Sequence, residues 1–244
     1  MLRVARRWWV GWSLGLLAGA VPAAPPVLTL HYQERPPYST LEADGHVSGL
    51  VATPAARALE RAGIAYRWER TPAQRQLALI QQGDGLHCGV GWFRNAEREA
   101  AGRFNAQPLY RDRPFAALVR ADAVWPADGR AADALAQRAA RLLVKDGFSY
   151  GAVLDALIAR SPAPIVRTPA EIDAMARMLA ARRADWMIVS PEEAPALLAR
   201  VPDGRQTLRV VRLSDVPAGE ARHLYCNRAV PAAWLARVDA ALAP

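Results

Sequence analysis

The stretch that decides the fold runs from residue 141 to residue 189: RLLVKDGFSYGAVLDALIARSPAPIVRTPAEIDAMARMLAARRADWMIV. Arg141 to Lys145 is a short β-type run, stopped by Asp146-Gly147. Ala152 to Arg160 reads as a helix, and Ile165-Val166-Arg167 as a second short strand. Thr168-Pro169-Ala170-Glu171 has the form of a capping box, with a hydroxyl at the cap and an acid three residues on. The helix it opens is expected to reach Arg182. Asp185 to Val189 is an apolar run of the kind buried on both faces of a sheet. Parallel strands need a long crossover between them, and a helix supplies it, so this alternation predicts a parallel sheet.

The same alternation stands earlier in the chain. Val27 to Tyr32 is β-rich, Pro36-Pro37-Tyr38 is rigid loop and Asp44-Gly45-His46 is a turn. Thr53-Pro54 opens a helix to Arg61, with Gly63 as its stop. Ala65 to Glu69 is a strand. Thr71-Pro72-Ala73-Gln74 is a second capping box, and its helix ends at Gly83. Leu86 to Trp92 and Phe115 to Val119 are further strands. Beyond the quoted stretch, Leu135 to Ala140 and the segment opened by Ser190-Pro191-Glu192-Glu193 are helical. Leu208 to Leu213 and Leu224 to Cys226 are strands, and Val230 to Leu242 is an amphipathic helix. Two rounds of alternation predict an α/β protein of two Rossmann-like lobes with a hinge and an interlobe cleft. Lobe 1 is expected over residues 25–119 plus 214–244, and lobe 2 over 120–213. The chain would cross near Arg120 to Arg130 and return within Asp203 to Gly219. Ligands of such sheets sit at the carboxyl ends of the parallel strands.

Residues 1–24 read differently. Arg3, Arg6 and Arg7 form a cationic head without an acid, Trp8 to Val21 is apolar, and Pro22-Ala23-Ala24 is a small-residue exit. These are the three parts of a secretory signal peptide. The apolar run is shorter than the ~20 residues a spanning helix needs. Export and cleavage are therefore expected, after Ala20 or after Ala23, with an uncleaved anchor as the competing reading. The expected location is the periplasm, with no stable membrane insertion after cleavage.

Removal of the signal leaves roughly 220 residues, one large or two small domains. The formal charge is +8 over the whole chain, and Lys145 is the one lysine. The arginines are scattered, with no basic block interleaved with aromatics, so nucleic acid is not an expected partner. Cys88 and Cys226 lie far apart in sequence. In an exported chain an even count points to a bridge, with two buried thiols as the alternative. The four histidines, His31, His46, His87 and His223, show no metal-ligand spacing, and no phosphate loop or dinucleotide fingerprint occurs. Neither a metal nor a cofactor is expected.

Several segments resemble, in order, the bacterial family-3 extracellular solute-binding proteins, the periplasmic receptors of polar amino-acid ABC transporters. Gln33-Glu34-Arg35-Pro36-Pro37-Tyr38 followed by Gly45 to Gly49 is similar to their opening. Gly91 to Arg98 followed by Phe104-Asn105 resembles their arginine-bearing segment, and Pro108-Leu109-Tyr110 their lead-in to the crossover. Gly147-Phe148-Ser149-Tyr150 is similar to their second-lobe loop, and Arg183-Ala184-Asp185 to their late strand entry. The resemblance implies a periplasmic binding protein-like fold of type II that closes on a small polar solute, acting as a monomer beside an ABC permease. The chain departs from the pattern after Gly49, where Leu50-Val51-Ala52-Thr53 replaces an acidic helix start. Ser190 stands where the acid that grips an amino group is expected.

The resemblance places a carboxylate-binding role on Arg98, whose planar fork suits two charge-assisted bonds. Ser149, in a glycine-flanked loop before a helix, is the candidate to complete an anion site. Tyr38 and Trp92 are candidates to sandwich an apolar portion of the solute. Glu34 and Glu192 are candidate acids toward the cleft, Glu192 as receiver of an ammonium group. The expected function is binding of a small polar or carboxylate-bearing solute, amino-acid-like, for ABC-type uptake, without catalysis. The alternatives are a ligand sensor for a separate signalling partner and a small-acid dehydratase on the same fold.

Overall fold

The computed structural model describes residues 25–243; the expected signal peptide lies outside them. In chain order the elements are β1 (Leu28–Tyr32), β2 (Thr40–Leu41), β3 (Val47–Ser48), α1 (Ala52–Arg61), β4 (Tyr66–Arg70), α2 (Ala73–Gln82), β5 (His87–Trp92), α3 (Ala96–Ala101), β6 (Arg103–Phe104) and β7 (Tyr110–Arg111). There follow β8 (Ala116–Arg120), α4 (Ala131–Ala136), β9 (Leu142–Lys145), α5 (Ala152–Ala159), β10 (Ile165–Thr168), α6 (Ile172–Ala180), β11 (Trp186–Val189) and α7 (Ala194–Arg200). The chain ends with α8 (Gly204–Thr207), β12 (Leu208–Arg212), β13 (Ala221–Cys226) and α9 (Ala232–Leu242).

Two sheets result. The first runs β4-β1-β5-β13-β6, with β7 also on β13; the second runs β10-β9-β11-β8-β12. In each, three strands are parallel in the order second-first-third, and the return strands are antiparallel. The expected parallel sheets are thus mixed, because each lobe receives a strand from the chain's passage to or from the other. One expectation is corrected: Phe115 to Val119 does not complete the first lobe. Ala116–Arg120 pairs with β11 and β12 in the second sheet, so the crossing precedes it.

The second sheet shows why these residues form strands. Alternate side chains point to opposite faces. Ala117, Val119, Leu142, Val144, Trp186 and Ile188 enter one core, and Ala116, Leu118, Leu143, Met187 and Val189 enter the other. Continuous apolar runs are what a strand covered on both faces requires. In the first lobe, α1 buries Ala52, Ala55, Ala58 and Leu59 at helical spacing against β1 and β5.

The two connectors between lobes run side by side: the Asp112 N–H donates to Glu220 O at 3.0 Å. Gly219 makes this approach feasible, since a Cβ there would stand 1.8 Å from Asp112 O. Cys88 and Cys226 occupy opposed positions of β5 and β13 and are bridged.

The helix starts depart from expectation. Thr71 does not cap α2. Its hydroxyl faces His31 Nδ1 at 2.8 Å, and the helix begins at Ala73. Thr168 lies in β10 and its hydroxyl accepts from the Ala170 N–H, so α6 begins at Ile172. The helix expected over Leu135 to Ala140 is instead Ala131–Ala136. Its first N–H groups, of Ala131 and Ala132, donate to the Asp215 carboxylate at 2.6 and 3.1 Å, a cap supplied from far along the chain.

Candidate functional site

A cavity lies where the carboxyl ends of four parallel strands converge. After β1 come Gln33 and Arg35; at the end of β5, Trp92 and Phe93. After β9 come Phe148 and Ser149, and after β11, Ser190. Phe115 and Arg222 join from the connectors and the start of β13. The free space is about 50 Å³, room for roughly three to five waters. The lobes stand closed on one another.

Arg98 is buried in the first turn of α3, where the Asn95 side chain accepts the Arg98 N–H at 2.9 Å. Its guanidinium spans the cleft. Nη1 donates to Phe93 O on the first lobe at 2.8 Å, and Nη2 donates to Gly147 O on the second at 2.9 Å. The group lies over the Trp92 ring, 4.7 Å from its centroid. Among the described residues no carboxylate stands within ion-pair distance of it. Burial lowers its pKa, and the influence of Tyr225, Asp155 and Glu97 offsets only part of that. An arginine keeps its charge nonetheless, so this is a desolvated cation with donors to spare.

The two other cavity arginines are neutralised. Arg222 makes a two-pronged pair with Asp112, Nε to Oδ1 and Nη2 to Oδ2 both at 2.6 Å, and donates from Nη1 to Gly91 O. Burial works against its charge, but Tyr38 and Asp112 more than compensate and hold its pKa above the ordinary value. Arg35 pairs in the same way with Glu193, at 2.5 and 2.6 Å, linking the first-lobe loop to the cap of α7. The Arg35 guanidinium is also stacked between Tyr38 and Phe148, 5.1 and 5.0 Å from their centroids.

Of the residues singled out from sequence, Arg98, Ser149, Tyr38 and Trp92 line the cavity together. Tyr38 is buried beneath Arg222, 4.0 Å from ring centroid to guanidinium carbon. Burial raises its pKa well above the usual tyrosine value, so its hydroxyl keeps its proton. Trp92 donates from Nε1 to Gln76 Oε1 at 2.9 Å. The Ser149 hydroxyl donates to Asp155 Oδ2 at 2.5 Å and accepts from the Gly151 N–H at 3.3 Å. Glu34 lies outside the cavity wall and accepts from the Leu41 N–H. Glu192 also lies outside it, accepting from the Tyr110 hydroxyl at 3.1 Å and the Arg113 N–H at 2.9 Å. Arg35, Arg222 and Phe148 escaped the sequence reading. No local signal pointed to Arg222: it lies before the strand expected over Leu224 to Cys226, and its partner Asp112 is 110 residues away.

No protein-family model matches the chain, and no curated protein matches it in sequence. Solved structures do match. An ancestral arginine-binding protein bound to arginine superposes with a TM-score of 0.69 at 15% identity, over 88% of this chain and 90% of that one. A substrate-binding protein of an amino acid ABC transporter does so with a TM-score of 0.66 at 14% identity, over 88% and 91%. A periplasmic His/Glu/Gln/Arg/opine family-binding protein from Silicibacter pomeroyi, in complex with lysine, gives 0.66 at 16% identity, over 88% of each chain. The shared feature is the fold: the two-lobed α/β architecture of type II periplasmic binding proteins. Substrate-binding proteins of amino-acid ABC transporters are among the solved structures whose fold this chain shares. Among the described residues no helix is long and apolar enough to cross a membrane.

Proposed function

We propose that this protein is exported to the periplasm, binds a small carboxylate-bearing solute between its lobes, and presents the closed complex to an ABC permease. The observation that carries this reading is Arg98. It is a buried guanidinium on the cavity wall, bonded to one carbonyl of each lobe and paired with no acid. A carboxylate bound there gains charge-assisted hydrogen bonds from a fork already held in place. Because Arg98 contacts both lobes, binding and closure are coupled, as hinge closure around a ligand requires. The test is a thermal-shift screen of amino acids and organic acids, followed by calorimetry of the best ligand on wild type and Arg98→Met. Equal affinity for both proteins would remove Arg98 from the site.

A further inference from the structure

We infer that the cleft selects a carboxylate whose remainder is uncharged, and discriminates against zwitterionic amino acids. This rests on the reading of Arg98 as the carboxylate clamp and adds the class of solute. The charged side chains lining the cavity are Arg35, Arg98 and Arg222; among the described residues no aspartate or glutamate lines it. The acids behind the wall are spent. Both Glu193 oxygens hold Arg35, and both Asp112 oxygens hold Arg222. Both Asp155 oxygens hold the Ser149 hydroxyl and the Tyr150 N–H. Glu192 keeps Oε2 buried and unbonded, but it is not a wall residue.

The balance leaves one positive charge, on Arg98, which a single carboxylate cancels. An α-amino acid would add an ammonium group with no carboxylate to receive it, close to three guanidiniums and away from water. Burying an unpaired cation is costly, and like charges repel strongly where water is excluded. An aromatic cage is the other way to hold an ammonium group. Here the protein's own cations already sit over four of the six rings that line the cavity: Arg98 lies over Trp92, Arg222 over Tyr38 and Phe93, and Arg35 over Phe148, which leaves Phe115 and Tyr150 and no complete cage. What the wall does offer is neutral. Gln33 Oε1 and the Tyr38 hydroxyl are buried without a protein partner, and a hydroxyl beside the carboxylate can donate to the first or accept from the second. Phe93 and Phe115 supply apolar surface for the rest.

Calorimetry on the exported chain with two matched series tests this. One is acetate, glycolate and glycine; the other is propanoate, L-lactate and L-alanine, all of a size that a cavity of about 50 Å³ can take. Members of each series differ only in a hydrogen, a hydroxyl or an ammonium group beside the carboxylate. The expected result is that an uncharged-body acid binds at least tenfold tighter than its amino acid, and that Arg98→Met abolishes the difference. Arg98→Lys, which keeps the charge, should retain part of the binding and guards against mere loss of fold. If an amino acid binds as tightly as its partners and depends on Arg98, the selectivity is overturned while the clamp stands. If no member of either series binds, or binding is indifferent to Arg98→Met, clamp and selectivity both fall.

Discussion

Arg35 and Glu193 meet across the cleft in a two-pronged ion pair, one residue on each lobe, with Glu193 almost wholly buried. The pair ties one lobe to the other through the protein's own charges. Arg35→Met leaves Glu193 buried and unpaired in the closed form, a cost of about 3–5 kcal/mol when an ion pair loses one partner in a dry site. Opening the cleft returns Glu193 to water and relieves that cost. Small-angle scattering of ligand-free Arg35→Met should therefore show a larger radius of gyration than wild type, and adding Glu193→Gln should reverse much of the change. Identical scattering from all three proteins would show that the pair does not hold the cleft shut.

Arg98→Met should weaken the best ligand by about 2–5 kcal/mol, the range for losing one partner of a buried charged pair. That is about 30-fold or more in dissociation constant. Arg98→Lys should recover only part of the loss, because an ammonium cannot reproduce the planar fork that spans Phe93 O and Gly147 O. Isothermal calorimetry separates the three proteins.

The bridge between Cys88 and Cys226 closes a sequence separation of 138. Chain entropy for such a loop gives up to about 5 kcal/mol of stabilisation. The Cys88→Ala/Cys226→Ala protein should melt roughly 5–15 °C lower, the shift expected when a few kcal/mol are lost from a protein of this size. Dithiothreitol should lower the melting temperature of wild type toward the same value and leave the double variant unchanged.

His31 is buried between Thr71 and His87, with its ring nitrogens 2.8 and 2.9 Å from Thr71 Oγ1 and His87 Nδ1. His87 Nε2 lies 2.6 Å from Asp84 O. Donation from Thr71 to His31, from His31 to His87 and from His87 to Asp84 O gives each of these three contacts one proton. Burial first, and His87 second, lower the His31 pKa to about 4 from the usual histidine value of 6.5. The unfolded chain then binds more protons between those values, so stability is complete above about pH 6.5 and falls as pH drops toward 4. The loss at the acid end is about 3 kcal/mol. Urea unfolding at pH 7 and pH 4.5 should show it, and His31→Gln should remove most of the difference. His223, whose pKa burial also lowers, adds a smaller contribution of the same sign.

Much of the fold was legible because burial imprints a period on the chain. Asp185 to Val189 reads as a covered strand, and Trp186–Val189 is one. What local pattern missed are the places where a distant group outbid a near one. Thr71 left its cap for His31, and Asp215 reached across the sequence to start α4. Phe115 to Val119 looked like a continuation of the first lobe, and only its pairing with β11 and β12 assigns it to the second.

The candidate site divides in the same way. Arg98, Ser149, Tyr38 and Trp92 were legible through their segments. The partnerships of Arg35 and Arg222 were not, because Glu193 and Asp112 lie 158 and 110 residues away from them.

The sequence by itself determined two rounds of strand and helix, and the residues at the ends of their strands, because periodicity and turn chemistry are local properties. Only the tertiary structure decided which arginines are spent and which one remains. A guanidinium is free or paired according to what lies within a few ångströms of it. That distance is settled by how the two lobes close, and no segment of the chain records it.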